Sequence, residues 1–189
     1  CLDRHSLWIT LTAPASPPLP VGEDFRVEGQ APVRASWIRE TSWADPVSGA
    51  VQVRLKGYLR MVHPVKAGSK VRVEWKGQSL VASSSAERVS PLFHVNRWGY
   101  DPEGLKEAYL GLYLGEAGEL DLGTLPDYTI LRLPAREAVA RGQLEPCPEQ
   151  GWPYQPAPNQ NVWRVPMHSL EEGRYCLQVE PYGCSPEFR

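Results

Sequence analysis

No run of about 18 apolar residues occurs in this chain, so nothing in it reads as a membrane-spanning helix. A basic surplus is missing too: the formal net charge is -2, whereas a nucleic-acid footprint needs positive charge to displace counterions from phosphates. There is no G-x-S-x-G elbow, no phosphate-cradling P-loop and no dinucleotide fingerprint, which leaves no motif for a serine nucleophile or a nucleotide cofactor. No C-x-x-C pair is present, and His5, His63, His94 and His168 are scattered without ligand spacing, so neither metal nor other cofactor is expected.

Paired carboxylates fare no better. Glu171 and Glu172 are adjacent and precede Gly173, the pattern of solvated turn charges, and Asp45 and Asp101 each precede Pro, where turn initiation explains them. Glu119, Asp121 and Asp127 offer oxygen ligands, but their spacing matches no calcium loop. No acid, base or nucleophile set emerges, and the expectation is a protein that is not an enzyme.

What the chain does have is turn residues. Its 189 residues include 19 Pro and 16 Gly, spread between short apolar runs, the layout of strands punctuated by turns. An immunoglobulin-like unit takes roughly 100 residues, so the expected fold is all-β, as two tandem immunoglobulin-like β-sandwiches. Residues 1–20 read as an N-terminal strand and Pro-rich tether, 21–90 as the first sandwich and 91–189 as the second, with Ser90-Pro91 at the boundary. Strands are expected at 25–28, 33–39, 51–61, 70–75 and 78–82, with Lys76-Gly77 as a hairpin turn, and then at 92–96, 107–114, 128–133, 162–165 and 174–179. The Ala-rich stretch 134–141, followed by Gly142, predicts one short helical turn.

Leu7, Ile9 and Leu11 alternate with Trp8, Thr10 and Thr12, the two-residue period of a strand with two distinct faces. The long, Pro-rich stretch that follows is stiff, which makes this a candidate donor strand that completes a sheet in another copy of the chain. The alternative is that it forms the first strand of its own first domain. The halves are oppositely charged, a feature that suits either self-association or simple solubility: residues 1–90 hold 12 Lys and Arg against 8 Asp and Glu, and residues 91–189 hold 8 against 14.

The four cysteines, Cys1, Cys147, Cys176 and Cys184, permit two disulfides in three pairings in an oxidising compartment. Cys176 and Cys184 are near in sequence, which favours a local pair and leaves Cys1 and Cys147 as a long clasp. A first residue that is Cys instead of Met suggests a processed chain or an excised fragment, and it also fits a lipid anchor at Cys1. Extracellular or cell-surface location follows as an expectation.

The segment 92–108, LFHVNRWGYDPEGLKEA, resembles the opening of the immunoglobulin-like domain that precedes the catalytic module in family-nine, cellulase-type glycoside hydrolases. Leu170, Gly173, Tyr175, Leu177, Val179, Gly183, Ser185 and Phe188 resemble its close, although the family pattern has Gln where this chain has Arg97 and Gly where it has Pro181. The first half, through Pro32, residues 53–59 and residues 64–73, is similar to the additional sandwich found ahead of that domain. The resemblance implies an accessory module, since Arg189 falls where the catalytic barrel would begin, or else the N-terminal part of such an enzyme.

Aromatic residues complete the picture. Trp152, Tyr154 and Trp163 flank a Pro-rich loop at 146–158 and are candidates to stack on glycan rings, against the alternative that Trp163 is core and the other two cover the loop. Asn96, Trp98, Gly99 and Tyr100 follow the expected boundary and are candidates for a domain junction, with Trp98 wedged in it. Trp37, Trp43 and Trp75 are expected in packing. The function expected is an extracellular structural protein, a self-assembling filament or surface-layer subunit, with a carbohydrate-binding accessory module as the alternative. Its partners would be copies of itself and polysaccharide.

Overall fold

The computed structural model describes residues 5–14, 18–66, 68–85, 87–123, 126–167 and 170–189. The chain is all-β and divides into two compact units, one comprising Cys1–Ser84 with Leu114–Ala117 and the other Ser85–Tyr113 with Gly118–Arg189. Among the described residues no helix is long and apolar enough to cross a membrane.

The first unit contains strands β1 (Ser6–Pro14), β2 (Phe25–Val27), β3 (Arg34–Ala44), β4 (Val51–Arg60), β5 (Lys70–Trp75) and β6 (Gln78–Ser83). They form two antiparallel sheets, ordered β1-β4-β3 and β2-β5-β6. Alternation decides which side is buried: Val71 and Val73 of β5 point inward while Lys70 and Arg72 face out. The core draws on both sheets, with Leu7, Trp37, Val53, Leu55 and Leu59 from one and Phe25, Val27, Val71 and Val73 from the other, as in a sandwich.

Aromatic rings fill the middle of that core. The Phe25 and Trp37 ring centroids are 5.5 Å apart, and Phe25 stacks on Trp75 at 6.0 Å and 9°. Trp37 lies opposite Gly57 across the β3–β4 ladder, where a Cβ would sit 2.2 Å from the indole. Only glycine leaves room for that ring. The β5–β6 hairpin turns at Lys76 (φ 46°) and Gly77 (φ 79°), the two-residue connection expected from the sequence.

The Leu7, Ile9 and Leu11 strand is placed by the structure in its own sheet. β1 pairs antiparallel with β4 from Ser6↔Arg60 to Pro14↔Gln52, and Leu7 is 2% exposed. The donor-strand expectation is corrected accordingly: the strand's hydrogen bonds and its apolar face are satisfied within the chain, as the alternative had it. Tether residues 15–17 lie outside the described residues.

The second unit contains β7 (Phe93–His94), β8 (Glu107–Leu110), β9 (Asp127–Arg132), β10 (Glu137–Gln143), β11 (Glu145–Pro146), β12 (Trp163–Pro166), β13 (Tyr175–Val179) and β14 (Gly183–Cys184). Its sheets run β10-β9-β13-β14 and β11-β12-β8-β7, again antiparallel throughout. Ile130, Leu177 and Val179 from one sheet and Leu110, Val165 and Phe93 from the other are buried.

The helical turn expected at 134–141 is a strand instead. Residues 133–136 form a turn with Arg136 at φ 57°, and β10 then pairs with β9 through a bulge between Ala138 and Ala140. Pairing with β9 outweighs the intrinsic helix preference of alanine, which is worth only tenths of a kcal/mol per residue, about 0.7 at most.

Candidate functional site

Asn96, Gly99 and Tyr100 from one resembling segment meet Tyr175 and Phe188 from the other at one pole of the second unit. Asn96 closes a tight turn: its Nδ2 donates to the Gly99 carbonyl at 2.5 Å, and its Oδ1 accepts from the Trp98 amide at 3.1 Å. Gly99 has φ 118° and packs against Arg189, with its Cβ position 3.5 Å from the Arg189 carbonyl. The Tyr100 amide donates to that same carbonyl at 2.8 Å. From the closing segment, Tyr175 and Phe188 exchange two backbone hydrogen bonds of 2.9 and 3.0 Å.

Side chains reinforce this clasp. Tyr100 stands edge-on to Phe188 at 5.7 Å, and its hydroxyl donates to the Glu107 carbonyl at 2.9 Å while accepting from the Asn96 amide at 3.0 Å. Burial raises the Tyr100 pKa above its ordinary value. Ser185 accepts the Leu177 amide at 2.9 Å. Asn96, Gly99 and Tyr100 are therefore scaffold residues of the second unit. The departure at Arg97 falls on an exposed side chain, where substitution disturbs no packing.

Trp98, the candidate wedge, is 98% exposed, so its indole is not used in the packing of the second unit. Trp43 is exposed as well, which corrects its assignment to packing, whereas Trp37 is buried and Trp75 partly so.

The glycan-stacking candidates separate cleanly. Trp163 is 7% exposed on β12, a core residue, so it is removed from the set. Trp152 and Tyr154 are 59% and 64% exposed and meet edge to face at 4.9 Å. Their loop is pinned at its base by two hydrogen bonds between Trp152 and Asn159, of 2.8 and 2.7 Å. The pair is thus a held surface feature.

Among the described residues Cys147, Cys176 and Cys184 are buried and no bridge joins them, and Cys1 lies outside the described residues. Cys176 and Cys184 lie side by side as their spacing suggested, joined by a hydrogen bond in place of a bridge, while the Cys1–Cys147 clasp involves a residue outside the described ones. Arg136 donates Nη1 to the Cys176 sulfur at 3.8 Å and Nη2 to the Cys184 sulfur at 3.4 Å. A hydrogen bond from Cys176, aided by Arg136, lowers the Cys184 pKa to about 6. Cys176 is pushed up, first by that hydrogen bond and then by burial. Cys147 donates to Glu149 at 3.1 Å, and burial is the main reason its pKa rises.

A charged cluster on the sheet of β11, β12 and β8 escaped the sequence reading. Arg164 bridges Glu145 at 2.6 Å and Glu107 at 3.3 Å, and the Tyr109 hydroxyl donates to Glu107 at 2.5 Å, which drives its pKa up to about 12. Both carboxylates accept hydrogen bonds from the Arg164 guanidinium. No motif marks the cluster because its members come from three strands. Other acidic candidates serve the backbone: Glu119 accepts the Gln160 and Asn161 amides at 2.9 and 2.6 Å, Asp121 the Gly123 amide at 2.8 Å and Asp101 the Glu103 amide at 2.9 Å. Asp45 accepts from Ser48 and Val47, which lowers its pKa.

No family model matches the chain, and no curated protein matches it. Among solved structures, the chain is similar to a metagenome-derived glycoside hydrolase family 9 endoglucanase, at 29% identity and a TM-score of 0.40 over 51% of this chain. The likeness spans 17% of that protein's length.

Proposed function

We propose that this chain is a non-catalytic, extracellular accessory module of a cellulase-type glycoside hydrolase system, holding polysaccharide through its second unit. The observation that carries this reading is the exposed Trp152–Tyr154 pair, since large apolar rings left in water on a pinned loop favour a partner with flat apolar faces, as a sugar ring has. Supporting it, the residues that resemble the family-nine immunoglobulin-like domain hold the fold of the second unit together and leave its surface open for binding. The self-assembling filament is not carried forward, because its donor strand lies in the chain's own sheet.

The test is retention of the purified chain on insoluble cellulose, measured alongside hydrolysis of a soluble cellulose derivative. Retention that falls severalfold in Trp152→Ala with Tyr154→Ala, with no product released, is the expected result. Hydrolysis that a single carboxylate substitution abolishes would overturn the non-catalytic reading, and unchanged retention would remove the aromatic pair.

A further inference from the structure

The clasp of the second unit borders a cavity of about 640 Å³, within the size range of small-molecule sites. Tyr100, Tyr175, Phe188 and Met167 supply its apolar lining, with Leu170 beside them and the almost fully exposed indole of Trp98 at the edge. An indole left wholly in water next to an apolar hollow has no role in the fold, because removing it deletes no buried contact.

Charge narrows what the groove can take. Lys106, Arg174, Arg189, Glu171 and Glu172 also border it, and most of this charge is already engaged. Arg174 forms a two-pronged pair with Glu187, both bonds 2.6 Å, Glu171 lies 3.6 Å from Arg132, and Lys106 donates to the Pro102 carbonyl at 2.5 Å. Counting the outside partners Glu187 and Arg132, four cations face three carboxylates, so the charge is nearly balanced and leaves little surplus for a strongly charged ligand. Glu172 is exposed and makes no ion pair among the described residues, leaving its carboxylate to accept hydrogen bonds from neutral hydroxyl groups.

We infer that this groove binds a neutral sugar chain, with a ring face on Trp98 and hydroxyl groups donating to Glu172. It is a second glycan site, formed by the pole of the unit and not by the Trp152–Tyr154 loop, and it rests on the accessory reading above for the choice of ligand. Flat sugar faces match the indole, hydroxyl groups match a lone acceptor, and neutrality matches the nearly balanced charge. The rings beneath are held by the backbone bonds between Tyr175, Phe188, Tyr100 and Arg189, so the site is formed before the ligand arrives.

The experiment is calorimetric titration of the full chain with cellohexaose, followed in parallel by tryptophan fluorescence. Trp98→Ala should weaken binding about tenfold and remove the spectral shift, with an unchanged melting temperature because the residue is exposed. Glu172→Gln should weaken it by a smaller factor. Trp152→Ala with Tyr154→Ala should leave cellohexaose affinity intact while lowering retention on insoluble cellulose. Wild-type affinity in Trp98→Ala overturns the groove, as does absence of saturable binding by the unmodified chain. Loss of cellohexaose binding in the Trp152→Ala, Tyr154→Ala variant overturns the groove and leaves the accessory reading standing; an unmodified chain that is neither retained on cellulose nor bound by cellohexaose defeats both. Tighter binding of hexagalacturonic acid than of cellohexaose would overturn neutrality, and a dimer that Trp98→Ala dissolves would assign the face to a second copy.

Discussion

In the first unit the large rings gather at the centre, with Phe25 between Trp37 and Trp75, whereas in the second they collect at one pole, with Phe188 against Tyr100 and Tyr175. A central cluster joins two sheets and leaves little aromatic surface to solvent. A polar cluster braces two distant chain segments and leaves a hollow beside it. The difference is one of degree: the first unit leaves Trp43 exposed, while the second retains Trp98, Trp152 and Tyr154 in water, three rings that packing does not use.

The largest effect is expected from removing the polar brace. Phe188→Ala should destabilise the second unit by about 3–5 kcal/mol, seen as faster hydrogen exchange in peptides covering β13 and β14. A loss below 1 kcal/mol would mean the clasp is dispensable. For the first unit, Leu7→Ala should cost about 2–4 kcal/mol in urea denaturation without altering sedimentation. A change of assembly state with stability intact would instead restore the donor strand.

Gly57→Ala tests whether the central cluster is tightly fitted, since the new methyl meets the Trp37 ring. The expected loss is about 1–3 kcal/mol, with a change in the near-ultraviolet dichroism of tryptophan; an unaltered spectrum would show that the indole has room to move. The smallest effect concerns pH. The folded Cys176–Cys184 pair gives up its first proton near pH 6, against an ordinary thiol value of 9.0. Between those values the unfolded chain binds more protons, so stability rises with pH and the contribution is lost as pH falls through about 6. Between pH 7 and 8 the gain should be about 1 kcal/mol, and Cys184→Ser should flatten it.

Much of the strand pattern was legible. β5, β6 and their Lys76-Gly77 turn follow from alternation and turn chemistry, which are local properties. β10 was not legible, because Ala138 and Ala140 favour a helix until β9 offers a ladder. Of the candidate site, Trp152 and Tyr154 could be named from the loop that holds them, and the strand expected at 162–165 already set Trp163 apart as the core alternative, which its burial bears out. The Arg164 cluster and the Trp98 groove were invisible for a related reason, since their residues lie far apart along the chain.

By itself the sequence determined the all-β class, through the two-residue period of its apolar positions and its spaced Pro and Gly residues, and it located the two segments that resemble a glycosidase-type domain. Only the tertiary structure decided that β1 serves its own sheet, that Arg136 gathers Cys176 and Cys184, and that the two resembling segments close one pole. These outcomes depend on which side chains share a few cubic ångströms, and that is set by sheet pairing between distant residues, which no short stretch of sequence encodes.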